Sequence, residues 1–146
     1  MKIDRIWAMP SRWTFTIKPI ASLLQEEGAL GLMRQGIWVD PFAGMNSPAD
    51  ITNDLNPNMN AQKHMDALDF VKSLETGKYD GALYDPPYSL RQLSEVYAGV
   101  GLHAGDATKA SYFSQIKDNI SRILKSSGKA ICFGWSSMGL GKNRKF

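Results

Sequence analysis

Apolar residues recur along the chain at two different spacings. Short apolar runs bounded by turn residues are typical of buried strands, whereas apolar positions three and four apart are typical of one helix face. Runs of the first kind predict strands at residues 37–39, 51–55, 79–84 and 129–135. The second spacing predicts helices that begin at Pro19 and that cover residues 67–74, 92–100 and 113–128. Strands alternating with helices favour an α/β fold with a doubly wound, mostly parallel sheet.

Two segments between these elements are less regular. The stretch between residue 55 and Asp66 is too short for a full helix and strand, so a third strand within it must be very short. The glycine-containing stretch 99–109 carries His103 and Lys109. It is either a solvated surface loop or a lid over a substrate, because active-site lids often have glycine hinges.

The last predicted helix has distinct apolar and polar sides. Its apolar side consists of Phe113, Ile116, Ile120, Ile123 and Leu124. Its polar side consists of Lys117, Arg122 and Lys125, which we expect to be solvated, with phosphate contacts as the lesser alternative. Gly128 is expected to end the helix, since glycine is common just past helix C-termini.

The predicted strand at residues 79–84 runs directly into Asp85-Pro86-Pro87-Tyr88. Each proline has a fixed φ, lacks an N–H and keeps the preceding residue extended, so the turn is preset. The Asp85 carboxylate and the Pro86 carbonyl then offer two acceptors to an exocyclic amine of a nucleobase. Tyr88 offers a flat face for a base taken out of its stack. The alternative is an ordinary proline turn with a surface tyrosine.

A second motif, Asp40-Pro41-Phe42-Ala43-Gly44, follows the strand at residues 37–39. An acidic residue and a glycine turn at the carboxyl end of a first strand lie where open α/β sheets bind nucleotides. The glycine-rich phosphate fingerprint is absent. A ligand with an adenosine and no phosphates, such as S-adenosylmethionine, does not need that fingerprint. A plain Asp-Pro turn is the alternative.

The two motifs together resemble those of the DNA amino-methyltransferases, which carry D-P-F-x-G after their first strand and D-P-P-Y after their fourth. The resemblance is greatest to the small adenine (N6) methyltransferases of phages and prophages. It implies that Asp40, Pro41, Phe42 and Gly44 line a site for S-adenosylmethionine. It also implies that Asp85, Pro86, Pro87 and Tyr88 hold the target adenine.

The resemblance extends to three weaker motifs. It implies that Asp54 holds the ribose hydroxyls of the cofactor, and that Asp66, followed by Ala67, contacts its adenine. The N-terminal stretch 13–20 resembles the motif that lies under the methionine end of the cofactor. Its implied cofactor-binding residues are Phe15, Thr16 and Lys18.

The same resemblance implies a Rossmann-like S-adenosylmethionine-dependent methyltransferase sheet with strand order 3-2-1-4-5. The family normally continues into two further strands, for which this sequence has no room. We therefore expect residues 1–146 to form a single catalytic domain, truncated at its C-terminus and without a separate target-recognition domain. The last eleven residues, with little to bury, would leave the edge of the fifth strand open to pairing.

Composition narrows the picture only slightly. The chain is 43% hydrophobic and 21% charged, which is ordinary for a globular protein. Its net charge of +3 favours a polyanionic partner weakly. No apolar run is long enough to span a bilayer, and the single cysteine, Cys132, fits a reducing cytoplasm, which would be that of the host cell for a phage protein. His64 and His103 have no partners at metal-ligand spacing, so no metal site is expected.

The sequence therefore predicts an enzyme that transfers a methyl group from S-adenosylmethionine to the exocyclic amine of adenine in DNA. Two alternatives stay open, namely an RNA base-amine methyltransferase and a non-catalytic subunit with the same fold that binds a partner. Basic residues at positions 109, 142, 144 and 145 either contact phosphate or form a solubilising tail. The open sheet edge predicts a homodimer through that edge or a marginally soluble monomer.

Overall fold

The computed structural model describes residues 3–8, 13–30, 35–134, 139–141 and 143–144. Its centre is a four-stranded parallel sheet. The strands are β1 (Trp38–Asp40), β2 (Ile51–Thr52), β3 (Tyr79–Tyr84) and β4 (Leu124–Cys132). Their spatial order is β2-β1-β3-β4, and every neighbouring pair is parallel. The predicted α/β class with a parallel sheet is confirmed.

The expected third strand is reduced to one residue pair. Asn53, just after β2, forms an isolated parallel bridge with Lys63. This bridge extends the sheet beyond β2, on the side where the order 3-2-1-4-5 places a third strand. The second strand is also shorter than predicted: beyond Thr52 only the single bridge at Asn53 remains, and the chain turns from Leu55 onward.

The described residues form four α-helices, one before the first strand and three between later strands. They are α1 (Lys18–Glu26), α2 (Ala67–Ser73), α3 (Leu90–Gly99) and α4 (Ala110–Ile123). Short 3-10 turns lie at Thr14–Thr16 and Gly105–Thr108. Helix α3 begins two residues before the predicted start, because the Ser89 side chain accepts a hydrogen bond from the Gln92 amide and caps it. A serine followed three residues later by glutamine is a helix-start signal that the apolar spacing alone does not reveal.

The predicted end of the last helix was wrong. Helix α4 ends at Ile123, and Leu124 is already extended with φ −74° and ψ 144°. Tyr79 of β3 pairs with Leu124 and Gly81 pairs with Lys129, so residues 125–128 bulge out of the ladder. Serine and glycine in this segment are weak helix formers, and pairing with β3 determines its conformation instead. Continuous pairing begins at Lys129, the predicted start of the strand, whereas its predicted end at position 135 lies outside the described residues.

The sheet is covered on both faces. Helix α1 packs on one face, where Leu24 meets Trp38, Leu83 and Ile131. Helices α2 and α4 pack on the other face, where the apolar side of α4 is buried as predicted. Alternate residues of β3 serve the two faces, since Leu83 points to the first and Ala82 and Tyr84 to the second. This alternation gives the doubly wound arrangement that the strand and helix order indicates.

One glycine on β3 leaves room for a large side chain on the neighbouring strand β1. A Cβ atom built on Gly81 would lie 2.2 Å from the ring of Trp38. Gly81 and Trp38 are register partners on the two strands. The Trp38 ring thus occupies the space that any other side chain at position 81 would need.

Two of the three basic residues expected on a solvated helix face have other roles. The Arg122 guanidinium donates to the carbonyls of Val71 and Leu74 at the end of α2 and to the Thr76 hydroxyl. It therefore joins α4 to the carboxyl end of α2, where free carbonyls need donors. Lys125 lies on β4 and forms an ion pair of 2.7 Å with Asp80.

The C-terminal residues that the structure describes pack against α4, which corrects the expectation that this end has little to bury. Leu140 is buried in the main core. The Arg144 guanidinium donates to Asp118 at 2.8 Å and to the Ser114 hydroxyl at 3.1 Å. Arg144 is thus engaged within the protein rather than available to a phosphate. Positions 142 and 145 lie outside the described residues.

The stretch 99–109 is partly packed rather than fully solvated. Ala104, just before the 3-10 turn, and Ala107, within it, are buried between α3 and α4. Lys109 pairs with Asp106 at 2.6 Å on the surface. In the part of the chain that the structure describes, no helix is both long and apolar enough to cross a membrane.

Candidate active site

The strand register brings three carboxylates to one edge of the sheet. Asp40 ends β1 and is the register partner of Thr52 on β2. Val39 pairs with Ala82, so Asp40 lies level with Leu83 on β3. Asp54 and Asp85 each follow two residues beyond these levels, on either side of Asp40. The two principal motifs and the second acidic residue therefore meet at the carboxyl edge, as expected from the sequence.

Asp40 is the deepest of the three. Its side chain is fully buried and accepts hydrogen bonds from the Phe42 amide at 2.9 Å and the Ser47 hydroxyl at 2.6 Å. Burial raises the pKa of Asp40 to about 7, and the negative charges of Asp85 and Asp54 add to this shift. Because this pKa is close to neutral pH, a change in the charge around Asp40 changes the fraction of molecules in which its carboxyl is protonated.

Asp54 shapes the turn that follows β1. Its carboxylate accepts from the Gly44 amide and from the Asn56 amide, each at 2.9 Å. Gly44 has a φ of +58°, in the left-handed region that favours glycine, and the space beside its Cα is open. The turn thus presents backbone and open space rather than side chain, a surface that a planar or ribose-like group can approach closely.

The neighbouring Asn53 was missed by the sequence reasoning. Its buried side chain donates to the carbonyls of Pro41 and Met65 and accepts from the Met65 amide. It therefore ties the turn after β1 to the segment that leads into α2. Its polarity within an apolar stretch was a visible signal, but its three partners are distant in sequence.

Asp66 is held by contacts within the protein. One carboxylate oxygen accepts from the amides of Leu68 and Asp69 and caps α2. The other accepts from the hydroxyls of Tyr97 and Tyr112. Burial is the first cause that raises the pKa of Tyr97 to about 12, followed by the bond to Asp66. The next residue, Ala67, is buried in the core, so this segment contributes support to the edge rather than a free carboxylate.

Asp85 lies at the centre of the second motif. The Tyr88 hydroxyl donates to its carboxylate, and the Thr14 hydroxyl is the second side-chain donor to it. Burial raises the pKa of Asp85, and these two hydroxyls oppose the shift. Tyr88 is 46% exposed, and its amide donates to the Gln92 side chain at the start of α3. The turn is therefore fixed at both ends while part of the tyrosine ring stays open to a ligand.

The N-terminal motif reaches the site through a residue other than those predicted. Thr14 contacts Asp85, whereas Thr16 and Lys18 are exposed and Thr16 bonds to the Trp13 carbonyl at 2.9 Å. Phe15 packs edge to face against Phe133 at 5.5 Å between ring centroids. This aromatic pair anchors the 3-10 turn against the end of β4 and holds Thr14 next to Asp85.

A cleft of about 380 Å³ opens beside the second motif, on the side away from Asp40. Its walls include Pro86, Pro87 and Tyr88 of the turn and Phe113 and Lys117 of α4. Tyr84 lies at its floor, and its ring packs against Phe42 of the first motif at 5.8 Å. The cleft thus adjoins Asp85 through Tyr88 and adjoins the first motif through Tyr84.

The described residues contain no group of three or more histidine, cysteine or acidic side chains that could hold a metal ion. Cys132 lines the cleft, and burial raises the pKa of its thiol to about 11, so it stays protonated near neutral pH.

Neither a protein-family model nor a curated protein matches this chain.

Proposed function

We propose that this protein transfers a methyl group from S-adenosylmethionine to the exocyclic amine of adenine in DNA. One observation carries the proposal: the strand order sets the Asp40 and Asp85 motifs side by side at the carboxyl edge of a parallel sheet. This edge is the usual place for ligands in open α/β sheets. An acceptor-rich turn beside a buried carboxylate there suits a cationic cofactor and a neutral amine.

The residues at this edge fit S-adenosylmethionine. Asp54, which is partly exposed, presents a carboxylate to a ligand that carries a sulfonium, an ammonium and ribose hydroxyls, while the fully buried Asp40 holds the adjoining turn through the Phe42 amide and the Ser47 hydroxyl. Each carboxylate oxygen of Asp54 accepts one bond within the protein and retains capacity for another. The open space beside Gly44 leaves room for the ligand backbone. The absence of a phosphate-binding glycine fingerprint agrees with a cofactor that has no phosphates.

Asp85 and Tyr88 suit the target amine. The Asp85 carboxylate accepts an N–H of the amine and turns its lone pair toward the methyl donor. The Pro86 carbonyl, at the same turn, accepts the second N–H. Tyr88 is kept in place by its bond to Asp85 and by the Gln92 side chain, and its half-exposed ring supplies a stacking surface for the adenine.

The cofactor, when bound, supplies an electrophilic methyl group on its sulfonium. Asp85 need not remove a proton beforehand, because the amine attacks as a neutral nucleophile and becomes acidic as it gains the methyl group. The carboxylate then accepts that proton. Its partial burial favours the protonated form, which suits this final step.

The proposal predicts that Asp85→Asn abolishes transfer without preventing cofactor binding. Loss of the negative charge should lower the rate about a hundredfold or more, as for removal of one preorganised polar group at a reacting centre. The measurement is incorporation of label from methyl-labelled S-adenosylmethionine into DNA and into RNA, side by side. Calorimetry reports cofactor binding by the same variant, which should change by less than about threefold, since Asp85 faces the amine.

Glu75→Gln is the matched control, since it removes an exposed carboxylate at the amino-terminal end of β3, away from the proposed site. It should methylate like the unmodified protein. Labelling of RNA alone would move the substrate class to RNA. A folded chain that binds no S-adenosylmethionine, or an Asp85→Asn variant with full activity, would contradict the proposal.

A further inference from the structure

Lys117 occupies an unusual position among the lysines of the protein. Every other lysine in the described ranges is exposed, whereas Lys117 is half-buried on α4 at the wall of the cleft. No ion pair or side-chain hydrogen bond among the described residues involves its ammonium group. The stem of a partly buried lysine packs on apolar surface while its charged head remains available to an anionic partner.

Among the described residues, the surroundings of Lys117 supply no acidic partner for the ammonium. The cleft contains no acidic side chain among its lining residues. Two uncharged groups interact with the Lys117 ammonium. They are the Tyr84 ring, whose centroid lies 5.7 Å from Nζ, and the protonated thiol of Cys132. A distance of 5.7 Å is close to the outer limit of a cation–π contact, so this contact compensates the ammonium only weakly.

The rest of the cleft is aromatic and apolar. Tyr84, Tyr88, Phe113 and Phe133 contribute rings to its walls, with Pro86 and Pro87 between them. Flat walls with one cation suit a ligand that joins a planar group to an anion. A nucleotide has this composition, because its base stacks on aromatic rings and its phosphate needs a positive partner.

The cleft also has a fixed relation to the proposed chemistry. Tyr88 lines the cleft and donates its hydroxyl to Asp85, so one side chain connects the two regions. Its volume of about 380 Å³ is in the range of pockets that hold a small ligand. A nucleotide that enters along α4 therefore arrives at Asp85 with its phosphate still near Lys117.

We infer that the cleft between the Asp85–Tyr88 turn and α4 receives the target nucleotide, and that the Lys117 ammonium binds the phosphate attached to it. This inference rests on the proposed function, and it names the route of the substrate and the residue that holds its backbone. It assigns the phosphate contact to a half-buried lysine of α4, instead of to the basic residues at positions 142, 144 and 145.

The test compares Lys117→Gln with Lys72→Gln. Both changes remove one lysine charge from a helix, but Lys72 is exposed on α2. Fluorescence anisotropy would follow binding of a labelled single-stranded oligodeoxynucleotide that contains one adenine, with S-adenosylhomocysteine present. Lys117→Gln should weaken binding by about fivefold to tenfold and reduce the slope of log affinity against log salt by about 0.7.

Three further measurements keep the inference separable from its alternatives. Lys117→Arg, which retains the charge, should keep most of the affinity. Thermal melting by circular dichroism should show that Lys117→Gln is folded. In the third measurement, deoxyadenosine monophosphate and deoxyadenosine are compared as competitors of the labelled oligonucleotide, which identifies the source of the phosphate. Strong, Lys117-dependent competition by the free monophosphate would assign the site to nucleotides rather than to a nucleic-acid chain.

The results distinguish this inference from the proposed function. Methylation of DNA by the unmodified protein together with unchanged binding by Lys117→Gln would overturn the inference and leave the function standing. Binding that depends on Lys117 in a protein that transfers no methyl group would support the phosphate site and overturn the function. Failure of the unmodified protein to bind the oligonucleotide or the monophosphate would overturn the inference directly.

Discussion

Asp40 shows how a single residue links the site to the stability of the fold. Its carboxyl has a pKa of about 7 in the folded protein against an ordinary value of 3.8, because it is fully buried. The folded state therefore binds a proton that the unfolded state releases as the pH rises above about 4. Stability is greatest when Asp40 is protonated and is lost as the pH rises toward 7, by up to about 4 kcal/mol.

We predict that Asp40→Asn reduces this pH dependence. The amide keeps an acceptor for the Phe42 amide and can pair with the Ser47 hydroxyl, but it carries no charge to desolvate. Urea denaturation between pH 5 and pH 8 should show a free energy of unfolding that falls less in the variant than in the unmodified protein. Equal slopes in both proteins would contradict the assignment. Glu75→Gln, an exposed carboxylate, should leave the slope unchanged.

The residue scale also shows what the sequence could and could not reveal. Asp40 and Asp85 were predictable because each follows a short apolar run, and strands that run parallel bring their carboxyl ends to one edge. The contact of Thr14 with Asp85 was not predictable, because it depends on how the N-terminal turn packs against Phe133. The hydrogen bonds of Arg144 to α4 were missed because they likewise depend on how a terminal segment packs against a helix distant in sequence.

Among the elements, the turn after β1 and the segment before α2 are joined by Asn53. Asn53→Ala should remove three hydrogen bonds at once and leave the Met65 amide and two carbonyls without partners. We expect a loss of about 2–4 kcal/mol in the free energy of unfolding, since each unsatisfied buried group costs about 1–3 kcal/mol and water enters the gap in part. Chemical denaturation measures this loss.

Cofactor binding offers a second measurement on the same variant. Calorimetry should show weaker binding of S-adenosylmethionine, because the turn that carries Gly44 is no longer held to the rest of the edge. Asn119→Ala is a suitable control, since the side chain of that asparagine bonds to Gln115 and Arg122 within its own helix, α4. An Asn53→Ala variant with the same free energy of unfolding as the unmodified protein would show that the three hydrogen bonds of Asn53 contribute little to stability.

Element boundaries were predicted well where the signal is local and poorly where pairing decides. The start of α2 follows directly from Asp66, whose side chain caps the helix. The end of α4 does not follow from apolar spacing, because Leu124 continues the spacing yet is buried as the first residue of β4. The sheet, rather than the intrinsic preference of residues 125–128, fixes that boundary.

On the scale of the whole molecule, the free edge of β4 is the feature that we expect to determine the oligomeric state. This nine-residue strand pairs with β3 on one side, and no other strand of the described residues pairs with it. Arg144 and Leu140 pack toward α4 and the main core. We expect homodimers through this edge, because an unpaired strand edge is a template for another chain.

Light scattering over a range of protein concentrations tests the dimer. The apparent mass should rise toward twice that of the chain, and hydrogen exchange in β4 should slow as the dimer forms. A monomer that persists at high concentration, with β4 amides protected to the same extent throughout, would show that the edge is covered within one chain.

The contact between Gly81 and Trp38 restricts how this protein can vary. Gly81 and Trp38 are register partners on β3 and β1, the two strands that lead to Asp85 and Asp40. Any side chain at position 81 would displace the buried Trp38 indole from its cluster with Leu24, Leu83 and Ile131. A substitution there lies outside the proposed site but would disturb the packing of the strands that carry both motifs, so under the proposed function it should lower the rate of methyl transfer. Position 81 is therefore a place where mutational tolerance should be lowest although the residue performs no chemistry.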